Sequence, residues 1–308
     1  MISVVFPGQG SQKVGMGSDF FKKFIYVKHI FNYADEILNY KISDLILNGP
    51  QEKLNQTTFT QPAIYLIGYA ISEVLRKETN FFKNNFNFFA GHSLGEYTAL
   101  TVANAITLEQ GLTLLKIRGE SMQSAVPFGE GGMLAVLGIE TDDIKKIIKE
   151  NFNNIKCYLA NDNSNGQLII SGKNIELQKF ANLLKEKNIK NIKLPVSAPF
   201  HCELMGSATA KMEAIIKNQE MSVPQYKVVS NVTAKEYKSA EEIKELLIKQ
   251  IESPVRWRES IEHMIEQGSN TFIEIGPGKV LSGLIKRINR EVKVLNIDAV
   301  EDIQDIKI

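Results

Sequence analysis

Apolar and polar positions alternate with two different periods along the chain, and the changes of period mark out the elements. Residues 2–6 are a β-branched apolar run that stops at Pro7-Gly8-Gln9-Gly10-Ser11-Gln12, which predicts a strand ending in a loop whose glycines let backbone amides approach a ligand. From about residue 19 to residue 75 the spacing is helical, broken at Asn48-Gly49-Pro50 and at Gln61-Pro62. Pro62 is expected to open a helix, because proline is favoured in a first helical turn. Residues 86–90 predict a second buried strand. It runs directly into Gly91-His92-Ser93-Leu94-Gly95-Glu96 and then into a helix toward Asn104.

A further helix is expected over 108–122, followed by a linker over 126–132 that carries Pro127 and three glycines. Beyond it the pattern changes: strand 133–138, helix 141–152 with Thr141 as its cap, strands 155–160 and 167–171, helix 176–188 and strand 189–196. That order, βαββαβ in about 65 residues, predicts an inserted ferredoxin-like subdomain at 129–196. The core around it would comprise 1–128 and 197–308. Asn161-Asp162-Asn163-Ser164-Asn165-Gly166 reads as hairpin punctuation, or as a turn facing a cleft. Strands at 226–230 and 271–275 and helices over 243–251 and 257–267 follow. Gly276-Pro277-Gly278 then turns into a last helix with Lys286 and Arg287.

Composition narrows the classes. The 308 residues, 44% of them hydrophobic, are enough to bury a large core. A net charge of +1 gives no bulk electrostatic reason to expect nucleic acid or membrane binding. No run approaches the roughly 18 apolar residues of a membrane span, and the first residues lack a basic leader, so a cytoplasmic protein is expected. The two cysteines, Cys157 and Cys202, have no metal-ligand spacing; Cys157 is expected in a strand core, and neither a metal nor a bound cofactor is expected.

Three positions carry candidate chemistry. Strand, Gly-His-Ser-Leu-Gly, helix is the form of a nucleophile elbow, which would expose Ser93 above a helix N-terminus where negative charge is favoured. A plain helix cap is the alternative. Arg118 recurs with Leu114, Leu115 and Met122 at helical spacing, so it lies on the face that should enter the core. A guanidinium cannot shed its charge, so it needs an internal carboxylate, an escape to solvent, or an anion that arrives with a substrate. Of the four histidines, His92 would point to the other side of the elbow, and His29 and His263 sit in amphipathic helices. His201, after the Pro199-Phe200 turn, is the best base for Ser93.

Taken together, Phe6-Pro7-Gly8-Gln9-Gly10-Ser11-Gln12, Gly91-His92-Ser93-Leu94-Gly95-Glu96, Arg118, Pro199-Phe200-His201, Ser253-Pro254-Val255-Arg256-Trp257 and Glu274-Ile275-Gly276-Pro277-Gly278-Lys279 closely resemble the malonyl-CoA:acyl-carrier-protein transacylases and the acyltransferase domains of fatty-acid and polyketide synthases. The resemblance runs from Phe6 to about Arg287. It implies an α/β-hydrolase-like core with a parallel sheet and the ferredoxin-like insertion. It also implies malonyl-CoA and a holo acyl carrier protein as substrates. In its terms Ser93 is the nucleophile, His201 the general base and acid, and the main-chain carbonyl of Gln250 the group that orients the imidazole. Backbone amides of Gln9 and Leu94 form the oxyanion hole, and Arg118 binds the free carboxylate of malonate. Phe200, with Met122 and His92, lines the substrate pocket. Phe200 and Leu94 match malonyl selection, although some stand-alone bacterial members carry Ser in place of Phe200. Two basic groups, Lys286, Arg287 and Arg290 or Lys185, Lys187, Lys190 and Lys193, are candidate docking patches for an acidic carrier.

Overall fold

Strands whose alternate side chains are all apolar need cover on both faces, and the core sheet receives it. A computed structural model describes residues 1–196 and 198–305. Among them are β1 (Ile2–Phe6), β2 (Phe86–Gly91), β3 (Gly131–Leu137), β4 (Cys157–Ser164), β5 (Gln167–Lys173), β6 (Lys190–Lys193), β7 (Val228–Val229), β8 (Thr271–Ile275) and β9 (Lys293–Ile297). The core sheet is parallel, in the order β7-β2-β1-β8-β9. In β1, Val4 and Phe6 enter one apolar cluster and Val5 the other. Phe89 and Phe88 of β2 divide in the same way. Each such side chain, fully buried, contributes about 1.5–3 kcal/mol. The parallel sheet thus separates two helical layers, as sheets built by helical crossovers do.

The second sheet is antiparallel, in the order β4-β5-β3-β6, with helices Thr141–Asn151 and Asn174–Glu186 in the connections. This is the expected βαββαβ unit. Its two faces serve different cores. Leu134, Val136, Leu168 and Ile170 pack with Phe180 and Leu184 under the unit's own helices, whereas Met133, Ala135, Ala160 and Ile169 belong to the large core cluster. The expected return to the core at 197 falls on a residue outside those described, as do residues 306–308.

Several local expectations change. Residues 161–164 are not a turn: β4 continues through Ser164, and Asn161 to Ser164 are buried. The reason is that polar partners on the core wait for them. Asp162 N donates to Val255 O at 2.9 Å, and the Asp162 carboxylate pairs with Arg258 at 2.8 Å. Thr141 donates its hydroxyl to that carboxylate at 2.9 Å. Thr141 is therefore the first helical residue, not the cap, which is Glu140. Pro62 lies inside helix Thr57–Glu78 instead of opening it; burial of the turn before it, where Thr60 donates to the carbonyls of Leu54 and Gln56, outweighs the lost amide. The linker over 126–132 ends early, since Gly131 and Gly132 already pair with Lys173 and Gly172. The strand expected at 189–196 shortens to Lys190–Lys193 and the one at 226–230 to Val228–Val229. β9, an edge strand with only Ile297 buried, was not foreseen, because Val294-Leu295-Asn296-Ile297 is too short and too polar at its flanks to stand out.

Between β2 and helix Gly95–Val102 the chain reverses so tightly that a Cβ on Gly91 would sit 1.9 Å from the carbonyl of Gly95. Gly91→Ala is expected to abolish the folded state. Gly283→Ala, in an exposed helical position where a Cβ meets nothing within 4 Å, is expected to add about 0.5–1 kcal/mol of stability. Urea unfolding followed by circular dichroism checks both; a folded, stable Gly91→Ala protein would contradict the packing described.

Candidate active site

The elbow places one residue in a costly conformation and holds it there. Ser93 has φ +53°, in the left-handed region that costs a non-glycine residue on the order of 1 kcal/mol or more. The Asn231 side chain fixes the turn from below: its Oδ1 accepts from Ser93 N at 2.7 Å, and its Nδ2 donates to Gly91 O at 2.7 Å. His201 also has a positive φ, 58°, and enters from the segment that follows the insertion.

Ser93 Oγ lies 2.8 Å from His201 Nε2, and His201 Nδ1 lies 2.9 Å from the carbonyl oxygen of Gln250. A carbonyl only accepts, so Nδ1 carries the hydrogen and Nε2 is left to accept from the serine hydroxyl. This is the tautomer a base needs. Burial, and after it the nearby charge of Arg118, hold the imidazole down to about 3, from an ordinary 6.5, so it stands neutral with its Nε2 lone pair facing the serine hydroxyl.

Arg118 is 1% exposed and has no carboxylate within ion-pair distance among the described residues. Neutral oxygens hold it. Nη1 donates to Gln61 Oε1 at 2.8 Å; Nη2 donates to Gln250 Oε1 at 2.8 Å and to Ser93 Oγ at 3.1 Å. The guanidinium carbon is 5.6 Å from the centre of the Tyr97 ring, and Nε has no hydrogen-bond partner among the described residues. Burial lowers its pKa from the ordinary value. Neither the internal carboxylate nor the escape to solvent is realised.

The first loop lies against the elbow, since a Cβ on Gly8 would come within 2.6 Å of the His92 carbonyl. Gln9 is thereby set beside it, its side chain donating to Thr57 Oγ1 at 3.3 Å. Leu94 is the N-cap of helix Gly95–Val102, which follows Ser93. Phe200 is 7% exposed, with its carbonyl held by Ser171 Oγ at 2.5 Å. Met122 is buried behind Gln61, whose amide nitrogen lies 3.8 Å from its sulfur. His92 turns toward the insertion: its Nε2 is 2.9 Å from Asn163 Oδ1, and its ring packs on Trp257. Grooves of about 580 Å³ beside Gln9, Phe128 and Lys193 and of about 430 Å³ beside His201, Tyr158 and Lys149 open between core and insertion.

Sequence reasoning missed Gln61, Asn231, Tyr237 and the side chain of Gln250. Glu96 stood inside the quoted motif without a role. It is fully buried, and burial raises its carboxyl to about 7 against the pull of its hydrogen-bond donors. No spacing rule finds these residues, because each meets the site from a different element.

A serine hydroxyl in contact with an imidazole able to accept its proton, beside a buried guanidinium with no carboxylate within ion-pair distance among the described residues, is an arrangement chemically suited to nucleophilic acyl transfer. The family model described as acyl transferase domain matches residues 4–307, and the chain belongs to that family. It is 41% identical over 307 residues to the malonyl CoA-acyl carrier protein transacylase of Bacillus subtilis, covering 98% of this chain and 95% of that one. It is also 41% identical over 297 residues to a polyketide biosynthesis malonyl CoA-acyl carrier protein transacylase of the same organism, covering 96% and 99%. A solved type II PKS acyl-carrier protein in complex with its malonyl-transacylase is similar at a TM-score of 0.94 and 37% identity, covering 98% and 97%. Among the described residues no helix is long and apolar enough to cross a membrane.

The depressed His201 makes a prediction about stability. The folded chain keeps the imidazole unprotonated, while the unfolded chain takes up a proton below its ordinary 6.5. The contribution is therefore intact above that pH and is lost as pH falls toward about 3. His201→Gln should melt with a shallower pH dependence than wild type between about pH 7 and pH 5, read by thermal unfolding across that range. Parallel curves would mean that His201 is not held neutral by the fold.

Proposed function

We propose that the chain transfers malonyl from malonyl-CoA to the phosphopantetheine thiol of an acyl carrier protein, through a malonyl ester on Ser93. One observation carries the choice of acyl group: Arg118 is a buried cation 3.1 Å from Ser93 Oγ with no carboxylate within ion-pair distance among the described residues. A malonyl group brings a carboxylate, the partner a guanidinium holds most strongly.

In the first half-reaction Ser93 Oγ gives its proton to His201 Nε2 and attacks the thioester carbonyl. The resulting oxyanion is held by the backbone amides of Gln9 and Leu94. The carbon–sulfur bond breaks, and coenzyme A leaves with the proton from His201. In the second half-reaction the carrier thiol loses its proton to His201 and attacks the Ser93 ester, and Ser93 departs with that proton. The route calls on no metal or bound cofactor. The carbonyl of Gln250 steadies the imidazole while it is charged. The proposed setting is fatty-acid synthesis in the cytoplasm, and a polyketide carrier is the alternative acceptor, favoured by the relative of equal identity whose name carries polyketide biosynthesis.

Of the two basic groups, the one on the insertion is better placed for the carrier. Lys193 lines the groove beside Gln9, whereas Lys286 Nζ is bound to the carbonyls of Arg290 and Val292, and Arg287 is bound to Gln167.

Intact mass after brief exposure to malonyl-CoA should show one malonyl adduct on the wild type and none on Ser93→Ala. An unmodified wild type with free malonate accumulating would point to a hydrolase, and one with the thioester intact to a non-catalytic carrier-binding module. Arg118→Ala should slow malonyl transfer on the order of a hundredfold or more and acetyl transfer far less; equal losses would remove the carboxylate clamp. Lys190→Glu with Lys193→Glu should weaken transfer to carrier protein, most at low salt, and leave transfer to free pantetheine unchanged. An equal effect on both acceptors would place docking elsewhere.

A further inference from the structure

Behind the reacting atoms lies a carboxylate for which the acyl-transfer steps have no use. Glu96 is fully buried in the first turn of helix Gly95–Val102. Its Oε1 accepts from the hydroxyl of Tyr237, and its Oε2 accepts from Asn231 N at 3.0 Å and from Gln250 Nε2 at 2.8 Å. Among the described residues no Lys, Arg or His lies within ion-pair distance of it. A carboxylate that merely caps its own helix would bind the amides of that helix. None of these three donors belongs to it.

Two of the three donors are the residues that hold the site. Asn231 grips the elbow through Ser93 N and Gly91 O. Gln250 meets His201 through its carbonyl, Arg118 through Oε1, and Ser93 O through Nε2 at 3.1 Å. An amide side chain has a donor end and an acceptor end that can exchange by a half-turn. Three contacts select one orientation of that amide: Glu96 Oε2 and Ser93 O accept from Nε2, and Arg118 Nη2 donates to Oε1. Glu96 supplies the shortest and only charged acceptor on the Nε2 side, and the reversed amide would aim hydrogens at Arg118.

We propose that Glu96 is a positioning residue for the transfer reaction, its carboxylate setting the orientation of Gln250 and the seat of Asn231, and through them the placement of Ser93, His201 and Arg118. The inference rests on the reading of Ser93 as the acyl-carrying nucleophile. Glutamine at this position keeps the shape but has one acceptor oxygen for a place that receives three donors, so Gln250 and Asn231 are held by fewer contacts and the reacting groups they carry are less firmly placed.

The test is a double-mutant cycle on full-length protein with Glu96→Gln, Gln250→Ala, which keeps the main-chain carbonyl, and the pair. Acylation by malonyl-CoA is followed by rapid-quench intact mass, and melting temperature reports folding. Glu96→Gln is expected to slow acylation on the order of tenfold or more while remaining folded. It is expected to add little once Gln250 has lost its amide, because the two act as one unit. Should Glu96→Gln fail to fold, Tyr237→Phe, which removes one donor from the carboxylate, runs the same cycle. A Glu96→Gln enzyme as fast as wild type, or a double variant slowed by the product of the two single effects, overturns the inference alone. Absence of any adduct on the wild type overturns the acyl-transfer reading, and this inference with it.

Discussion

A guanidinium that cannot lose its charge is buried beside Ser93 with no carboxylate within ion-pair distance among the described residues, and the site is arranged around that constraint. Isolated burial of such a charge costs several kcal/mol. The chain meets part of the cost with neutral oxygens from Gln61, Gln250 and Ser93 and with the face of the Tyr97 ring. Neutral dipoles solvate a cation without neutralising it, so an arriving carboxylate still finds a strong partner. The same positive charge helps to keep His201 unprotonated. In the proposed reaction the same residue receives the carboxylate of the acyl group and helps to keep His201 neutral.

The inserted subdomain is a second sheet that finishes the first core. One face of β3, β4 and β5 lies under its own helices, and the other lies on the large apolar cluster. The junction is pinned by Asp162 to Arg258 and by Asn163 to His92. A pair of a buried Asp162 and a half-buried Arg258 is weak evidence for stability by itself, but it fixes where two elements meet. That fixed junction brings His201, which follows the insertion, to within 2.8 Å of a serine 108 residues earlier.

Much of this was legible in the residues. Periodicity located β1, β2, β8 and the βαββαβ order, because fully apolar runs and amphipathic helices are local consequences of which faces are buried. The elbow was legible from Gly91 and Gly95, where close backbone approach leaves no space for a side chain. Residues 161–164 were misread for the opposite reason. Asn, Asp and Ser signal turns when nothing else binds them, and here Val255, Arg258 and His92 do. Pro62 was misplaced because proline's preference for a first turn is worth less than burial of the turn ahead of it.

By itself, the sequence determined the α/β class, the strained serine and the presence of a charged residue on an apolar helix face. Each follows from spacing within one element. Only the tertiary structure decided that Arg118 meets amides and not a carboxylate, and that His201 holds the base tautomer because Nδ1 faces the Gln250 carbonyl. It alone brought Glu96, Asn231 and Gln250 into one hydrogen-bonded cluster. Those facts depend on which side chains from distant elements occupy the same few cubic ångströms, and hydrogen bonds are directional and short, so no pattern along the chain encodes them.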